Sequence, residues 1–309
     1  MKKILFVLAA ACVTVATQAK ILRVSNVDGS SAPYTTIAEA DAAADEGDTI
    51  MVDASSTAYE DTELSGKRIV LIGPGYFLAE NGITTNGASG ASIGTLKVNG
   101  EGSVIKGMTI TRLVLLSSKI VVTRCKLAGT LQLGSEDLTK PIEAENCIIH
   151  QNFFGAGTIA TYNWYTTSFM QFTNNIFSLT MSFGNMTNAY IAYNTFAGGL
   201  QSQSVTNGTI EHNIASYINI GIGSPGTVET KNIKSEDYAK LDYTSKKLDK
   251  AYWELYQETQ EGDYGAFADD DPYVLSGIPS GPVIQDLVVP ASVEKGSTMS
   301  VTVKVGVSK

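Results

Sequence analysis

A short pattern of hydrophobic and polar positions recurs four times in the C-terminal half of the chain, at a constant spacing of 19 residues. Each copy centres on an asparagine. In the first three copies an apolar residue precedes that asparagine by three positions and another follows it by two. A fixed repeat of short apolar segments with polar corners is typical of a solenoid, and each copy has room for about three short strands. The pattern therefore predicts a parallel β-helix. The four asparagines are Asn175, Asn194, Asn213 and Asn232.

The repeated asparagines also predict a hydrogen-bonded column inside the solenoid. Stacked coils place equivalent residues about 4.8 Å apart, so the side-chain amides can bond to one another as a ladder. The same apolar frame continues upstream at uneven spacing, with Met108, Cys125 and Cys147 in the slot of the asparagine. Uneven spacing indicates loops inserted between otherwise similar coils.

The first 19 residues have the features of a secretory signal peptide. A charged start is followed by an apolar run over residues 4–16 and by small residues before a cleavage site after Ala19. A lipoprotein signal would place leucine three residues before Cys12, where Ala9 stands, so lipid attachment is the weaker alternative. The apolar run is too short for a bilayer, which takes about 20 residues. We expect an exported protein, secreted or at the cell surface, without a transmembrane segment.

Charge and cysteine content narrow the choice of partner. The chain has 22 basic and 31 acidic side chains and a net charge of −9, which becomes −11 when Lys2 and Lys3 leave with the signal peptide. This charge disfavours nucleic acid as a partner. Cys125 and Cys147 remain in the mature chain, in the same predicted slot of successive coils. A disulfide and two buried thiols both fit that placement, and neither implies catalysis or a metal site.

Residues 34–52 predict a helix that caps the first coil. Thr35 or Thr36 can serve as its N-cap and Gly47 can end it. Such a helix would cover an open strand edge, which a solenoid has to protect. The face that packs on the coil would contain Ile37, Ala40 and Ala44.

The same stretch, with its Gly-Asp-Thr-Ile sequence at 47–50, resembles the opening of pectin-lyase-like parallel β-helix proteins. Residues 68–75, Arg-Ile-Val-Leu-Ile-Gly-Pro-Gly, are also similar to that family. The resemblance implies an all-β, single-stranded, right-handed parallel β-helix. Right-handed crossovers are also the general preference for parallel strands. Within that family, the chain is similar to adhesin-like β-helix proteins.

The segment between Cys147 and Asn175 contains the densest aromatic cluster among the coils. Rings on the flank of a solenoid can stack on sugar rings, so the last three residues of the cluster are candidate ligand-binding residues. The alternative is a loop that folds back and buries its rings on the coil beneath. The cluster comprises Phe153, Phe154, Tyr162, Trp164 and Tyr165.

After Asn232 the coil pattern stops and acidic residues become frequent. We expect a helix over residues 248–256 to cover the far end of the solenoid. Residues 263–267, Asp-Tyr-Gly-Ala-Phe, are similar to the ending of many secreted β-helix proteins of the same family. Alternating apolar residues at 284–289 and 299–305 predict two strands, which resemble the opening strands of an immunoglobulin-like module.

Three adjacent acids, Asp269, Asp270 and Asp271, are candidate calcium ligands. Adjacent acids in a loop more often serve solvation. We therefore expect no cofactor, with calcium as the alternative.

Many proteins of the family that the chain resembles cleave acidic polysaccharides, so a catalytic site has to be sought residue by residue. The hydrolase motifs of that group, Asn-x-Asp, Asp-Asp and Gly-His-Gly, do not occur in the predicted coils. Alternation along a strand places Glu143 and Glu145 on its outer face about 7 Å apart, a separation that suits an acid and a base. Lys106 in the same outward column and Arg124 at the nearby corner complete the candidate set. Exposed glutamates on strands usually serve solvation.

The sequence therefore favours a non-catalytic, adhesin-like protein that binds carbohydrate or another cell-surface glycan. A polysaccharide lyase or glycoside hydrolase is the alternative, and a structural spacer is a third hypothesis. The predicted organisation is a signal peptide (1–19), an N-terminal strand and capping helix (20–48), β-helix coils (49–234), a C-terminal capping segment (235–278) and a short β-hairpin tail (279–309).

Overall fold

The structure is a computed structural model. Short β-strands repeat along the chain. They stack in parallel into a β-solenoid of about nine turns. The predicted all-β parallel β-helix is thereby confirmed, whereas its handedness stays a prediction. The structure describes residues 19–81, 90–135, 137, 144–155, 158–161, 166–234, 264–268, 270–288, 298–299 and 301–308, with the backbone alone at 281–288 and 306–308.

The first sheet forms one side of the solenoid and has one buried and one exposed face. Its strands pair in register, so that Ile105 lies beside Val122 and Ile149 beside Phe172, and all four side chains are buried. Alternation along each strand sends the flanking residues outward. Numbered in chain order, its strands are β1 (Ile21–Val24), β2 (Thr49–Val52), β4 (Val70–Ile72), β6 (Val104–Lys106), β8 (Val121–Thr123), β10 (Ile148–His150), β14 (Gln171–Thr173), β18 (Tyr190–Ala192), β22 (Thr209–Glu211) and β25 (Val228–Thr230).

The second sheet supplies much of the aromatic core. Phe154, Phe177 and Phe196 occupy equivalent positions in successive coils, and their ring centroids are 4.4 Å and 4.5 Å apart in stacked arrangements. Coil spacing and ring stacking therefore reinforce each other. The strands are β3 (Thr62–Glu63), β5 (Ser92–Val98), β7 (Thr109–Leu115), β9 (Lys126–Leu133), β11 (Phe153–Phe154), β12 (Ile159–Thr161), β15 (Ile176–Phe177), β19 (Thr195–Phe196), β23 (Ile214–Ala215) and β26 (Ile233–Lys234).

Two smaller sheets complete the coils in the C-terminal half of the described solenoid. Each has three parallel strands, and their inward residues, among them Met181, Phe183 and Met186, join the same core. One sheet contains β13 (Thr167–Ser168), β17 (Met186–Thr187) and β21 (Val205–Thr206), and the other contains β16 (Met181–Phe183), β20 (Leu200–Ser202) and β24 (Ile218–Ile220).

From β8 onwards, each described coil passes from the first sheet to the second through a two-residue corner. The first residue of this corner has a positive φ, between 48° and 55°, which costs a non-glycine residue roughly 1–2 kcal/mol. The second residue points into the core. We call the positive-φ residues the corner column: Arg124, Gln151, Asn174, Tyr193, His212 and Lys231.

The predicted asparagines occupy the second corner position and form a continuous ladder. The Oδ1 atom of Asn194 accepts hydrogen bonds from the backbone N–H and the side-chain amide of Asn175, both at 3.0 Å. The same two bonds join Asn194 to Asn213 at 3.0 Å, and Asn213 to Asn232 at 2.9 and 3.0 Å. These bonds satisfy the buried amide groups at the corner. Loss of one such bond, which leaves a buried group without a partner, costs about 1–3 kcal/mol.

The ladder continues upstream through Asn152, not through Cys147. The backbone N–H of Asn152 donates to Oδ1 of Asn175, and the N–H of Cys125 donates to Oδ1 of Asn152, both at 2.9 Å. The predicted placement of Cys147 in this slot is wrong, because Ile149 pairs with Val122. The true frame therefore lies five residues further along the chain.

This shift separates the two cysteines. Cys147 precedes β10, at the level of Ile120, whose carbonyl accepts from the N–H of Ile148 at 2.9 Å. Both thiols are free and buried, and burial raises the pKa of Cys125 to about 12 and that of Cys147 to about 11. Cys125 and Cys147 therefore lie in different columns as buried thiols.

The predicted capping helix, α1 (Ile37–Ala43), covers the first coil. Thr36 is its N-cap, and a capping box joins Thr36 to Glu39, so that backbone N–H groups at the helix start are satisfied. The predicted end at Gly47 is wrong. The helix stops earlier because Ala44 has an extended backbone, with ψ at 151°, and Gly47 instead forms the positive-φ turn that leads into β2.

An ion pair ends the described coils. Glu229 follows Ile210 in the register of the first sheet, and Lys234 follows Ala215 in the second. The Nζ atom of Lys234 lies 2.8 Å from Oε1 of Glu229. Charges at positions that are apolar in earlier coils oppose the stacking of another coil.

The predicted C-terminal strands form an antiparallel hairpin, β27 (Gly281–Val288) and β28 (Thr302–Ser308). A short 3₁₀-helix, Ala79–Asn81, lies between β4 and β5. Within the described part of the chain, no helix combines the length and apolar character needed to cross a lipid bilayer.

Candidate functional site

A C-terminal segment runs back along the corner column and covers one side of the solenoid. Near its start, the N–H of Gly265 donates to the carbonyl of His212 at 2.8 Å. Near its end, the carbonyl of Ile278 accepts from Nη1 of Arg124 at 2.9 Å. The segment thus passes from late coils towards earlier ones. We call it the strap, and it comprises residues 264–268 and 270–280. Residues 235–263 of the predicted C-terminal cap lie outside the described residues.

The strap is fastened to the outer face of the first sheet at His150. Its Nε2 lies 3.0 Å from Oδ2 of Asp271, and its Nδ1 lies 2.8 Å from Oγ1 of Thr173. A carboxylate only accepts, so Nε2–H donates to Asp271 while Nδ1 accepts the hydroxyl proton of Thr173. The side-chain amide of Gln151 donates to the other oxygen of Asp271 at 2.7 Å. We call these four residues the latch.

Burial sets the protonation state of the latch. It lowers the pKa of His150, and the nearby carboxylate of Asp271 opposes that shift. The side chain of His150 is 18% exposed, against 69% for Asp271. The imidazole is therefore neutral at neutral pH, while the carboxylate keeps its contact with water.

Arg124, a candidate catalytic residue, lies beside the latch and holds the strap. Its Nε donates to Oε1 of Gln151 at 2.7 Å, and its Nη1 donates to the carbonyl of Ile278. Only 7% of the residue is exposed. Burial lowers the pKa of the guanidinium, and the charge of Asp271 opposes this shift. Both bonds are structural, because the bond to Gln151 joins two coils at the corner and the bond to Ile278 ties the strap to it.

A cluster of aromatic and acidic side chains lies further along the same corner. The rings of Tyr193 and His212, one coil apart, have centroids 4.8 Å apart at an interplanar angle of 72°. Tyr264 of the strap lies 5.6 Å from His212. On the adjoining outer face, the hydroxyl of Tyr190 donates to Oε1 of Glu211 at 3.0 Å. All five side chains are half-buried, and we call them the tyrosine patch.

The tyrosine patch combines apolar ring surface with hydrogen-bonding groups. Aromatic rings provide flat contact area, and their hydroxyl groups donate and accept. The carboxylate of Glu211 only accepts. The Nδ1 atom of His212 is buried and has no hydrogen-bond partner among the described residues. Such a surface suits a ligand with an apolar face and an edge rich in hydroxyl groups.

Two of the candidate catalytic residues, Lys106 and Glu145, lie in different columns of the solenoid. Lys106 pairs with Thr123, and Thr123 pairs with His150, so His150 occupies the outward column that was predicted for Glu145. Glu145 lies before β10, outside any strand, and its Oε1 accepts from the hydroxyl of Ser168 at 2.7 Å. The prediction that Glu145 shares a strand column with Lys106 is wrong, for the same five-residue shift that displaced Cys147.

Several predicted site residues lie outside the described residues, and their roles stay predictions. The first two residues of the aromatic cluster, Phe153 and Phe154, are described: they form β11 and are buried. Asp271 belongs to the latch, and Asp270 is exposed. Among the residues that the structure describes, no three acidic, histidine or cysteine side chains are grouped to hold a metal ion. The predicted residues outside the description are Glu143, Tyr162, Trp164, Tyr165 and Asp269.

The sequence carried a signal for one half of the tyrosine patch. Tyr193 and His212 are 19 residues apart, each directly before a ladder asparagine, so the repeat that predicts the ladder also predicts their contact. No such signal exists for the strap, since 121 residues separate His150 from Asp271.

The β-helix fold is assigned from the strand pairing of this chain. The described coils have the parallel arrangement that the resemblance of residues 34–52 implies. In comparisons with known proteins, no family model, no curated protein and no solved structure matches this chain.

Proposed function

We propose that this protein is an adhesin-like, secreted or cell-surface member of the pectin-lyase-like group, and that it binds glycans without cleaving them. The observation that carries the proposal is the tyrosine patch, where three tyrosines, a histidine and a glutamate lie together at one corner and on the adjoining outer face. The parallel β-helix is compatible with such a role, and the signal-like residues 1–19 support export.

The chemistry of the tyrosine patch favours a ligand that donates many hydrogen bonds. The C–H face of a sugar can pack on the rings of Tyr193 and Tyr264. Glu211 already accepts one bond from Tyr190, and its second carboxylate oxygen can accept from a sugar hydroxyl. Rings and carboxylate together recognise the two kinds of surface that a sugar presents.

Charge favours a neutral glycan over an acidic one. The full chain has a net charge of −9, and Glu211 adds a carboxylate at the tyrosine patch itself. Both repel uronic acid polymers. The proposed ligand therefore differs from the acidic polysaccharides that enzymes of the resembled family cleave.

The contacts of the candidate catalytic residues support binding over turnover. Glu145 accepts from Ser168, and Arg124 is buried between Gln151 and the strap. Side chains held by such contacts stabilise the fold. Glu145 also lies outside the strand column of Lys106, so these two candidates do not line one substrate position.

One observation favours the alternative, a polysaccharide lyase or glycoside hydrolase. His150 lies within hydrogen-bond reach of both Asp271 and Thr173, and Lys106 shares its outward column. A histidine paired with a carboxylate is a common general base. If the latch is catalytic, product formation will require both His150 and Asp271.

The proposal is tested by measuring retention and cleavage together on neutral glucan, neutral mannan and polygalacturonate. Tyr193→Asn removes the ring and keeps a residue that tolerates positive φ. Tyr217→Asn is the matched control, because Tyr217 is 42% exposed next to β24, away from the corner column. We expect retention of the wild type on a neutral glycan, a loss of about tenfold in affinity for Tyr193→Asn, and no change for Tyr217→Asn.

Two results would overturn the binding proposal. The first is equal retention of the wild type and Tyr193→Asn on every polymer. The second is release of reducing or unsaturated ends that disappears in His150→Gln, which would make the protein an enzyme.

A further inference from the structure

A polar cavity of about 480 Å³ lies at the N-terminal end of the solenoid, beside the capping helix. It is bounded by residues 25–30 and Ala32 after β1, by Thr35 and Thr36, and by residues 57–60. The volume falls within the range of small-molecule sites, roughly 300–1,000 Å³. The tyrosine patch lies on β18, β22 and the strap, so the cavity is a separate site.

Hydrogen bonds hold the two walls of the cavity together. The side-chain amide of Asn26 donates to the carbonyls of Thr57 and Ala58 at 3.1 and 3.3 Å. Tyr59 is buried, and its hydroxyl donates to the carbonyl of Asp53 at 2.8 Å. The cavity is thus part of the folded framework, since both walls are fixed before any ligand enters.

The cavity lining is rich in groups that accept hydrogen bonds. The carboxylates of Asp28 and Glu60 are exposed, and neither takes part in a hydrogen bond or ion pair with the described residues. The hydroxyl groups of Ser30 and Thr57 add acceptors that can also donate. Asn26 also lines the cavity, where its amide is held by the opposite wall.

We infer that this cavity binds a mono- or disaccharide that is neutral or carries an amino group. The exposed carboxylates of Asp28 and Glu60 and the hydroxyl groups of Ser30 and Thr57 can accept from the hydroxyl and ammonium groups of a sugar. The same carboxylates repel a uronic acid. Val27, Ala32 and Ala58 provide the apolar part of the lining, against which the C–H face of a sugar can lie. The inference is independent of the tyrosine patch.

Three sugars that differ at one position test the charge argument: glucose, glucosamine and glucuronate. Binding of each is measured by saturation-transfer NMR and by calorimetry, up to about 20 mM to include millimolar affinities. We expect glucosamine to bind at least about tenfold more tightly than glucose, because ionic hydrogen bonds are roughly twice as strong as neutral ones. We expect no binding of glucuronate.

Variants locate the binding. Ala58→Trp fills the cavity from an exposed position, and Asp28→Asn combined with Glu60→Gln removes both charges without changing size. Each should lower the affinity for glucosamine at least about tenfold. Glu80→Gln, an exposed acid in the 3₁₀-helix, is the matched control and should leave the affinity unchanged, as should Tyr193→Asn.

The inference is overturned if none of the three sugars binds, if glucuronate binds as well as glucosamine, or if glucosamine binding survives in the double variant. A requirement for added calcium would also overturn it, because the carboxylates would then be cation ligands. If Ala58→Trp fails to fold, as judged by its melting curve, the double variant decides the question alone. Loss of glucosamine binding in Tyr193→Asn with retention in the double variant would move the sugar to the tyrosine patch.

Discussion

Replacing Asn194 with leucine tests whether the asparagine ladder stabilises the solenoid. Leucine has a similar size and branching but no hydrogen-bonding group, so the substitution removes polar contacts with little change in packing volume. Asn194 is fully buried in the middle of the ladder. Its Oδ1 accepts two bonds from Asn175, and its amide donates to the carbonyls of Phe172 and Ala192 and to Oδ1 of Asn213.

The expected loss of stability follows from which partners remain satisfied. The side-chain amide of Asn175 keeps its bond to the carbonyl of Ile149 at 2.7 Å. The Oδ1 atom of Asn213 keeps the backbone N–H of residue 194 at 3.0 Å. The backbone N–H of Asn175 loses its acceptor, which costs about 1–3 kcal/mol when the group is buried. The carbonyl of Phe172 also loses the hydrogen bond that it accepts from the side-chain amide of Asn194. With this second loss included, we expect the free energy of unfolding to fall by about 2–4 kcal/mol.

Two measurements check this value. The free energy of unfolding in urea should fall by the stated amount, and hydrogen exchange at the N–H of Asn175 should accelerate more than at amides several coils away, because repeat proteins open locally. Asn219→Leu is the control, since Asn219 is exposed on β24. An unchanged unfolding midpoint together with unchanged exchange at Asn175 would refute the energetic role of the ladder.

Two further predictions concern buried groups whose pKa is shifted. Burial lowers the pKa of His150, so the unfolded chain binds the proton more readily, and stability should fall as the pH drops below about 6.5 towards the lower folded value. His150→Gln should flatten this part of the stability curve, and an identical pH dependence in the variant would contradict the role of the latch. The thiols of Cys125 and Cys147, with pKa values of about 12 and about 11, should not react with a thiol reagent until the chain unfolds. Rapid modification of the folded protein would show that they are accessible.

Local patterns predicted the parts of the fold that local physics determines. The 19-residue repeat specified the ladder because a side chain in one coil meets its equivalent in the next at the strand spacing. The sequence Thr-x-x-Glu at residues 36–39 specified the helix start, since both members of the capping box lie within one turn. These features depend on neighbours in the chain or on the repeat itself.

The register near Cys147 was ambiguous because two frames fit the same stretch. Residues 144–149 and 149–154 both have an apolar residue three positions before the slot and another two positions after it. The first frame places Cys147 above Cys125. The second is correct, since it buries Phe154 against Phe177 and puts an asparagine, Asn152, in hydrogen-bonding contact with Asn175. Packing and ladder bonds decide between frames that polarity alone cannot separate.

The strap could not be derived from any local pattern, and yet both the latch and the tyrosine patch depend on it. Asp271 completes the hydrogen bonds of His150, and Tyr264 completes the ring cluster at His212. A solenoid whose coils contact only their neighbours is quasi-one-dimensional, whereas the strap joins coils as far apart as those of Arg124 and His212. The surface proposed to bind glycan is therefore not a property of the repeat alone. Four of its residues lie on the coils, and Tyr264 completes it only when the C-terminal segment docks on coils that precede it in the chain. Loss of the strap should therefore weaken ligand binding while the ladder and the aromatic core remain.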